Sequence, residues 1–316
     1  MAAATTTPEM RAARFHDYGP PSVLVIDLVP RPVPQQGEVL IRVHSAGVNP
    51  IDWKMRAGYL KTYMPVDLPR IPGLDVAGIV EQVGPGVTEF AAGDAVFGRG
   101  TSTYAEYATG PLATLARKPD GVSFDQAATL HVGGVTAWIA LFDMAHLEPG
   151  QRVLIQGGAG GVGSIAVQLA HWKGAHVIAT TSTDNVAYVQ SIGADEVVDY
   201  TTVQFEDVVR DVDAVIDTVG GEITARSWGV LKPGGIMVVV AGAPDAEAAA
   251  AHGVRVSNVA HPAVTTPVLE ELARLVAEGD LGPHIGAVFP LEEAAEAQAA
   301  SETGHGRGRI VLHVSS

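Results

Sequence analysis

The architecture of this chain follows from twenty residues, VLIQGGAGGVGSIAVQLAHW, at positions 153–172. Val153–Gln156 is a short, mostly apolar run of the kind that forms a buried strand. Residues 157–163 follow, and five of these seven are glycines. From the last of them, Gly163–Trp172 has the composition of a helix. The stretch therefore predicts a strand, a turn almost free of side chains, and a helix in direct succession.

The spacing of the glycines in this turn matches a known sequence motif. Gly158, Gly160 and Gly163 form a G-x-G-x-x-G pattern between the predicted strand and helix, which is the context this motif requires. The first glycine permits the tight turn, the second lets a pyrophosphate approach the backbone, and the third lets the helix pack closely on the sheet. Amides at the helix N-terminus, around Gly161 and Val162, can then hold phosphates. A purely structural glycine turn is the alternative interpretation.

Strands and helices alternate on both sides of this turn. Near-continuous apolar strands joined by helices favour an α/β fold with a doubly wound parallel sheet, the Rossmann architecture. The predicted strands are Val153–Gln156, His176–Thr180, Glu196–Asp199, Ala214–Asp217, Ile236–Val240 and Val254–Val259. Predicted helices are Thr136–Met144, Gly163–Trp172 and Val186–Ile192, while Ala246–Ala251 is left open as a loop or a short helix.

The sequence before this region is different in character. Many glycines and prolines separate short segments that have the composition of β-strands. This pattern predicts a compact β domain with few helices. Its strands are predicted at Val23–Leu28, Glu38–Ser45, Asp75–Val83, Asp94–Phe97 and Tyr104–Thr109. The C-terminal part is predicted to form helices at Val268–Glu278 and Glu292–Glu302 and a strand at Arg309–Val314. We expect domain boundaries near 125 and 265, and a frayed extension over residues 1–9.

Composition limits the partners of the chain. With 20 Lys and Arg against 35 Asp and Glu, the net charge is −15, which disfavours nucleic acid and anionic membranes as partners. The absence of cysteine excludes disulfides and thiolate metal sites. The first nine residues lack the features of a secretory signal, and the apolar run Ile236–Ala243 is too short to span a bilayer. These observations indicate a cytoplasmic protein that binds small molecules.

The segment after the second Rossmann strand bears on the choice of cofactor. Sites selective for NAD place an acidic residue at that strand end, whereas this chain has Thr181 and Ser182 there, with Asn185 shortly after. These polar groups can donate hydrogen bonds to a 2′-phosphate, although no Lys or Arg is adjacent and Asp184 would oppose it. We therefore expect NADPH rather than NADH.

Several further motifs occur in a fixed order along nearly the whole chain, from about Met10 to Val314. They are Gly37–Leu40, Ala46–Asp52, Ile71–Gly78, Val83–Val87, Gly93–Phe97, Tyr104–Tyr107, Gly193–Asp195 and Leu231–Gly235. With the glycine-rich turn, they resemble the medium-chain dehydrogenase/reductase superfamily, in its zinc-free quinone oxidoreductase (zeta-crystallin-like) branch. The resemblance implies a GroES-like β domain (1–125 and 265–316) interrupted by a Rossmann domain (126–264), a cofactor in the cleft between them, and a homodimer.

The same resemblance bears on metal content. The zinc-dependent branch has cysteine where this chain has Asn49 and histidine where it has Leu74, and its separate cysteine-rich lobe is missing here. The resemblance thus implies no catalytic zinc. Without a Lewis acid, reduction of an acceptor that is already electrophilic is favoured over oxidation of simple alcohols.

The resemblance also suggests catalytic residues. Asn49 would orient the nicotinamide ribose or polarise a carbonyl, with a turn asparagine as the alternative, and Tyr59 would supply a proton, with Tyr63 in competition. Trp53, Lys54 and His131 are weaker candidates for contact with the substrate. Further cofactor contacts are expected at Thr136, Tyr200, Thr218, Gly220, Ala241, Gly242 and Arg309.

Taken together, the sequence predicts an NADPH-dependent reductase that transfers hydride to a quinone or another activated carbonyl or alkene. A 2-enoyl reductase acting on an enone or enoyl thioester is the nearest alternative. A non-catalytic NADPH-binding structural or regulatory protein is the alternative from another class.

Overall fold

The computed structural model describes residues 8–315, so most of the predicted N-terminal extension, residues 1–7, lies outside the described chain. The chain divides into two compact units. The first contains the described residues up to Val132, then Ala263–Ala277, and everything from Ile285 onward. The second contains Gly133–Pro262 and Glu278–His284. The second unit is therefore an insertion in the sequence of the first.

The first unit is built mainly from antiparallel strands. A two-stranded ribbon pairs β1 (Glu9–Phe15) with β2 (Leu24–Pro30). The larger sheet contains β3 (Glu38–Val48), β4 (Asp75–Val83), β5 (Ala95–Arg99), β6 (Tyr107–Pro111), β7 (Leu115–Arg117), β14 (Ile285–Pro290) and β15 (Arg309–His313). Its order is β14-β15-β3-β4-β5-β7, with β6 paired to β3. Phe15, Ile41, Tyr104 and Leu312 are among the side chains of its buried core.

Short helices complete this unit. They are α1 (Pro50–Arg56), α2 (Phe124–Ala127), α9 (Thr266–Glu278) and α10 (Ala294–Glu302), with 3₁₀ turns at Pro21–Val23, Leu112–Thr114 and Leu291–Glu293. The fully buried Arg56 of α1 connects distant parts of the chain, because its guanidinium donates to Gln298 and Glu302 of α10 and to the carbonyl of Gly19.

The second unit is a six-stranded parallel sheet. Its strands are β8 (Arg152–Gln156), β9 (His176–Thr181), β10 (Glu196–Asp199), β11 (Val212–Asp217), β12 (Leu231–Val239) and β13 (Arg255–Asn258), in the order β10-β9-β8-β11-β12-β13. The helices are α3 (Thr136–Trp138), α4 (Gly163–Trp172), α5 (Val186–Ser191), α6 (Phe205–Val208), α7 (Glu222–Ser227) and α8 (Ala246–Ala251), with 3₁₀ turns at Thr183–Asn185 and Trp228–Val230. This arrangement confirms the predicted doubly wound fold.

Several local predictions need correction. The predicted helix 136–144 begins earlier and is largely π-helical, with π turns at Leu130–Val135 and Ile139–Met144 on either side of α3. The strand predicted from Tyr104 begins only at Tyr107. Residues 246–251 form a helix because the Asp245 side chain caps it by accepting from the amide of Ala248. Within residues 8–315, no helix has the length and apolar character needed to cross a membrane.

Candidate functional site

Hydrogen bonds of buried side chains hold the start of the glycine-rich turn after β8. The Thr180 hydroxyl accepts from the amide of Gly157 at 3.1 Å and donates to Gln156 Oε1 at 2.7 Å. The Gln156 amide nitrogen in turn donates to Ser227 Oγ at 3.1 Å. The first residue of the turn is thus bonded to Thr180 of β9, and the Thr180 hydroxyl is itself held in place through Gln156 of β8 and Ser227 of α7.

The three motif glycines have different surroundings. A Cβ on Gly158 would lie 2.8 Å from the Ala179 methyl group, and a Cβ on Gly163 would lie 2.1 Å from the Gly157 carbonyl oxygen. Both positions are closed by the protein itself. A Cβ on Gly160 would meet only the Gly157 oxygen, at 3.3 Å. The side of the turn at Gly160 is therefore bare of protein side chains, as close approach of a pyrophosphate requires.

The N-terminus of α4 lies next to this bare position. The amide of Ser164 is already used by the Gly160 carbonyl at 2.9 Å, and that of Gly160 by Gly157 at 3.0 Å. Gly161 and Val162 lie immediately before the ten-residue helix, where amides have no partner within the helix. These amides and the helix dipole provide the positive potential that an anionic ligand needs in a chain of net charge −15.

The loops after β11 and β12 meet beside the turn. Thr218 Oγ1 donates to the Gln156 carbonyl at 2.6 Å, and the Asp217 carboxylate accepts from the amides of Val219 and Gly220 at 3.0 and 2.9 Å. A Cβ on Gly220 would lie 2.0 Å from the Ala241 carbonyl oxygen. Gly242 follows at a φ of 142°, a conformation suited to glycine. The structure thus groups Thr218, Gly220, Ala241 and Gly242 at the carboxyl ends of the strands, as predicted from the sequence.

The end of β9 carries the polar groups that were predicted to select the cofactor. Thr181 is buried, Ser182 and Asn185 are joined by a hydrogen bond of 3.2 Å, and the amide of Tyr200 donates to the Thr181 carbonyl at 3.1 Å. The side chain of Tyr200 is half-exposed. Thr136, another predicted contact, is buried and bonded to His261 at 2.9 Å.

Sequence reasoning overlooked one carboxylate in this region. Asp199, at the end of β10, accepts hydrogen bonds from the hydroxyls of Thr183 (2.6 Å) and Thr201 (2.7 Å), and these lower its pKa. β10 is the neighbour of β9 in the sheet, a pairing that the local sequence pattern does not reveal. Asp199 therefore adds negative charge near the residues proposed to select the cofactor.

In the first unit, Asn49 belongs to a buried polar network. Its amide oxygen accepts from Arg309 at 2.6 Å, and its amide nitrogen donates to Asp75 at 3.1 Å. Arg309 also pairs with Asp75 at 2.7 Å, and Asp75 accepts from the amide of Val132 at 2.8 Å. Both ends of the Asn49 amide and one nitrogen of Arg309 are thus engaged within this unit, and their roles toward a cofactor stay predictions.

The network continues through a second carboxylate. Asp52 accepts from the backbone amide of Asn49 at 2.9 Å and from the Tyr104 hydroxyl at 3.0 Å. Burial raises the pKa of Asp52 to about 7, and burial also raises the pKa of Asp75 and of Tyr104. Asp52 thus changes charge near neutral pH inside the protein, which sequence alone did not indicate.

The remaining candidates of this unit lie on or beside α1, except His131. Trp53 and Tyr59 form an edge-to-face pair with ring centres 6.0 Å apart, and Lys54 Nζ lies 5.6 Å from the Trp53 ring. Tyr59 is 66% exposed, so its hydroxyl is accessible. His131 is buried and directly precedes Val132, whose amide binds Asp75. The structure thus brings together Trp53, Lys54 and Tyr59.

A doubly wound parallel sheet with a bare glycine turn at its centre, in one chain with a mainly antiparallel β unit, defines a dinucleotide-dependent oxidoreductase. Residues 35–120 match the alcohol dehydrogenase GroES-like domain, and residues 192–312 match the family described as zinc-binding dehydrogenase.

Individual relatives agree with this class. A 2-methylene-furan-3-one reductase of Solanum lycopersicum is 36% identical over 325 residues, which cover 96% of this chain and 79% of the relative. The structure of the quinone oxidoreductase from Coxiella burnetii is 36% identical with a TM-score of 0.91, over 98% of this chain and 100% of that one. Mycobacterial Rv1454c complexed with NADPH is 31% identical with a TM-score of 0.88, over 96% and 100%.

The chain belongs to the medium-chain dehydrogenase/reductase superfamily, in its quinone oxidoreductase branch. It is a reductase of the quinone oxidoreductase type that uses a nicotinamide cofactor. The predicted family, the predicted fold class and the prediction of an enzyme are therefore confirmed.

The surroundings of the motif glycines predict opposite effects for two substitutions. Gly163→Ala forces a methyl group against the Gly157 carbonyl and should destabilise the protein by about 1–3 kcal/mol. Gly160→Ala should leave the melting temperature nearly unchanged but weaken nicotinamide dinucleotide binding about tenfold or more, because its methyl group points to the bare side. Thermal unfolding and fluorescence titration measure the two effects. If Gly160→Ala bound the dinucleotide as tightly as the wild type, the turn at Gly160 would not be the diphosphate site.

The buried Asp52 predicts a pH dependence of stability. Since its pKa is raised from 3.8 to about 7, the folded protein holds this proton more tightly than the unfolded chain, and stability falls as pH rises between these values. Asp52→Asn keeps the acceptor oxygen but cannot ionise, so it should remove this loss of stability at high pH. Its melting temperature should exceed that of the wild type by roughly 5 °C at pH 8 and by much less at pH 4.5. The exposed Asp17→Asn is the control, and an equal gain at both pH values would refute the explanation.

Proposed function

We propose that this chain is an NADPH-dependent reductase that passes a hydride to a quinone or a similarly activated acceptor without zinc. The observation that carries the proposal is the bare face of the turn at Gly160, where a dinucleotide would meet no side chain. The name of the Coxiella relative supports a quinone as acceptor, and the mycobacterial complex supports NADPH.

The second unit supplies the residues proposed to hold the cofactor. Gly158–Gly163 and the N-terminus of α4 would hold the diphosphate, and the loops after β11 and β12 would flank it through Thr218, Gly220, Ala241 and Gly242. Thr136 and Arg309 are further proposed cofactor contacts. A bound nicotinamide supplies the hydride, while binding, orientation and exclusion of water are left to the protein.

The preference for NADPH rests on the end of β9. Thr181, Ser182, Asn185 and Tyr200 would surround a 2′-phosphate, and no acidic residue occupies the strand end. Asp184 and Asp199 oppose such a ligand, and the hydrogen bonds from the hydroxyls of Thr183 and Thr201 stabilise the negative charge of Asp199. Hydrogen bonds, not a guanidinium or ammonium group, would therefore provide the discrimination.

The acceptor would meet groups of the first unit. Asn49, held in one orientation by Arg309 and Asp75, is proposed to orient the nicotinamide end of the cofactor or the acceptor oxygen. The accessible phenol of Tyr59 is proposed as proton donor, with Trp53, Lys54 and His131 lining the acceptor site. The proposal of a zinc-free reaction follows from the lack of cysteine and from Leu74. Among residues 8–315, moreover, no three His, Asp or Glu side chains form a ligand cluster.

A second candidate is favoured by one relative. The tomato protein is named as a reductase of a methylene-furanone, which is an enone, so reduction of an activated alkene is the alternative. Both reactions end with a proton delivered to an oxygen or carbon that has gained negative charge. We further propose a cytoplasmic homodimer that associates through β13, the edge strand of the parallel sheet.

Steady-state assays of the purified protein test the function. Each of NADPH and NADH is paired with 9,10-phenanthrenequinone and with a trans-2-enoyl thioester, and kcat/KM is compared across the four combinations. The proposal predicts the highest value for NADPH with the quinone. Higher activity with the thioester would favour the enoyl reductase, and tight NADPH binding without turnover of either acceptor would favour a non-catalytic role.

A pair of neighbouring tyrosines tests the proton donor. Tyr59→Phe should lower kcat about 100-fold with little change in KM for NADPH, because it removes only the hydroxyl. Tyr63→Phe is the matched control, since Tyr63 is also exposed on the same segment and should change kcat less than about twofold. Equal values of kcat for both variants and the wild type would exclude Tyr59 as the donor.

A further inference from the structure

A groove in the first unit lies among residues to which the proposed reaction assigns no role. It runs between the β1–β2 ribbon, the segment 67–71 and the turn at Thr101 and Ser102, with a volume of about 320 Å³. This volume lies at the lower end of the range for small-molecule sites. Met10, Val29 and Ile71 give it an apolar lining.

Two arginines that have few charged partners of their own line this groove. The Nε atoms of Arg14 and Arg70 are buried and have no hydrogen-bond acceptor among the described residues. Arg14 has one carboxylate in reach, Asp27, at 3.5 Å, and within residues 8–315 the guanidinium of Arg70 forms no ion pair. In a chain with 35 acidic residues, two arginines that share one groove and together form a single long ion pair among the described residues indicate that an anion from outside binds their guanidinium groups.

Neighbouring groups narrow the chemistry of that anion. The hydroxyls of Thr101, Ser102 and Tyr107 add hydrogen-bonding capacity beside the cationic groups. The ring of Tyr107 is fixed by the guanidinium of Arg31, whose carbon lies 3.9 Å from the ring centre. The exposed Asp67 also lines the groove and disfavours a dianion such as phosphate. A planar carboxylate can accept two parallel hydrogen bonds from an arginine guanidinium group, and the apolar lining favours a ligand with a hydrocarbon chain.

We infer that this groove binds a small monocarboxylate with an apolar body, its carboxylate between Arg14 and Arg70. None of its lining residues is among those proposed to hold the cofactor or the acceptor. The site is therefore a second ligand site in the β unit, separate in its residues from the reductase function.

Calorimetry with octanoate, a monocarboxylate of about ten non-hydrogen atoms, tests the inference. Octanoate should bind with one site per chain, and octanol and inorganic phosphate at least tenfold more weakly. Arg70→Gln should weaken octanoate binding about tenfold or more, because it removes a charge-assisted contact. Arg117→Gln, which removes an exposed arginine of the same unit that is paired with Asp94, is the control and should leave the affinity unchanged.

A second variant separates loss of binding from loss of folding. Thr101→Phe places a large side chain at the exposed edge of the groove and keeps both arginines, so it should abolish octanoate binding while the melting temperature stays near that of the wild type. The inference is overturned if octanoate fails to bind the wild type, if octanol or phosphate binds equally well, or if both folded variants bind octanoate unchanged.

Discussion

The first unit depends on a buried ion pair between Arg309, at the start of the last strand, and Asp75, at the start of β4. Both side chains are almost fully excluded from solvent. If one partner is removed, the charge of the other therefore stays buried and is not solvated. Asn49 is bonded to both partners, with its oxygen toward the cation and its nitrogen toward the anion. One interaction thus joins the C-terminal strand to the sheet and sets which way the Asn49 amide points.

Much of the second unit could be predicted because its determinants are local. Val153–Gln156, the glycines and Gly163–Trp172 each carry their signal within a few neighbouring residues, and the observed strand β8 and helix α4 follow these limits closely. The grouping of Thr218, Gly220, Ala241 and Gly242 was also predictable, since the carboxyl ends of parallel strands share one edge. Strand β4 was likewise predicted with its observed limits, because its apolar run is bounded by clear turn residues.

The partners within the sites could not be predicted, because they come from distant parts of the chain. Asp75 is 26 residues from Asn49, and Arg309 is 260 residues from it. The raised pKa of Asp52 arises from burial by the whole unit, which no local pattern reports. The type of helix was missed for a similar reason, since the sequence predicts an ordinary helix over 136–144, and only the structure shows the π turns at Leu130–Val135 and Ile139–Met144.

The insertion of the second unit into the first has a consequence for synthesis on the ribosome. All strands of the parallel sheet have been synthesised once residue 258 is added, so this sheet can form before the chain is complete. The sheet of the other unit has to wait for β15, whose residue Val311 pairs with Gly47. Until then β3 lacks one hydrogen-bonded neighbour, and a nascent chain that stalls late exposes that edge to other strands.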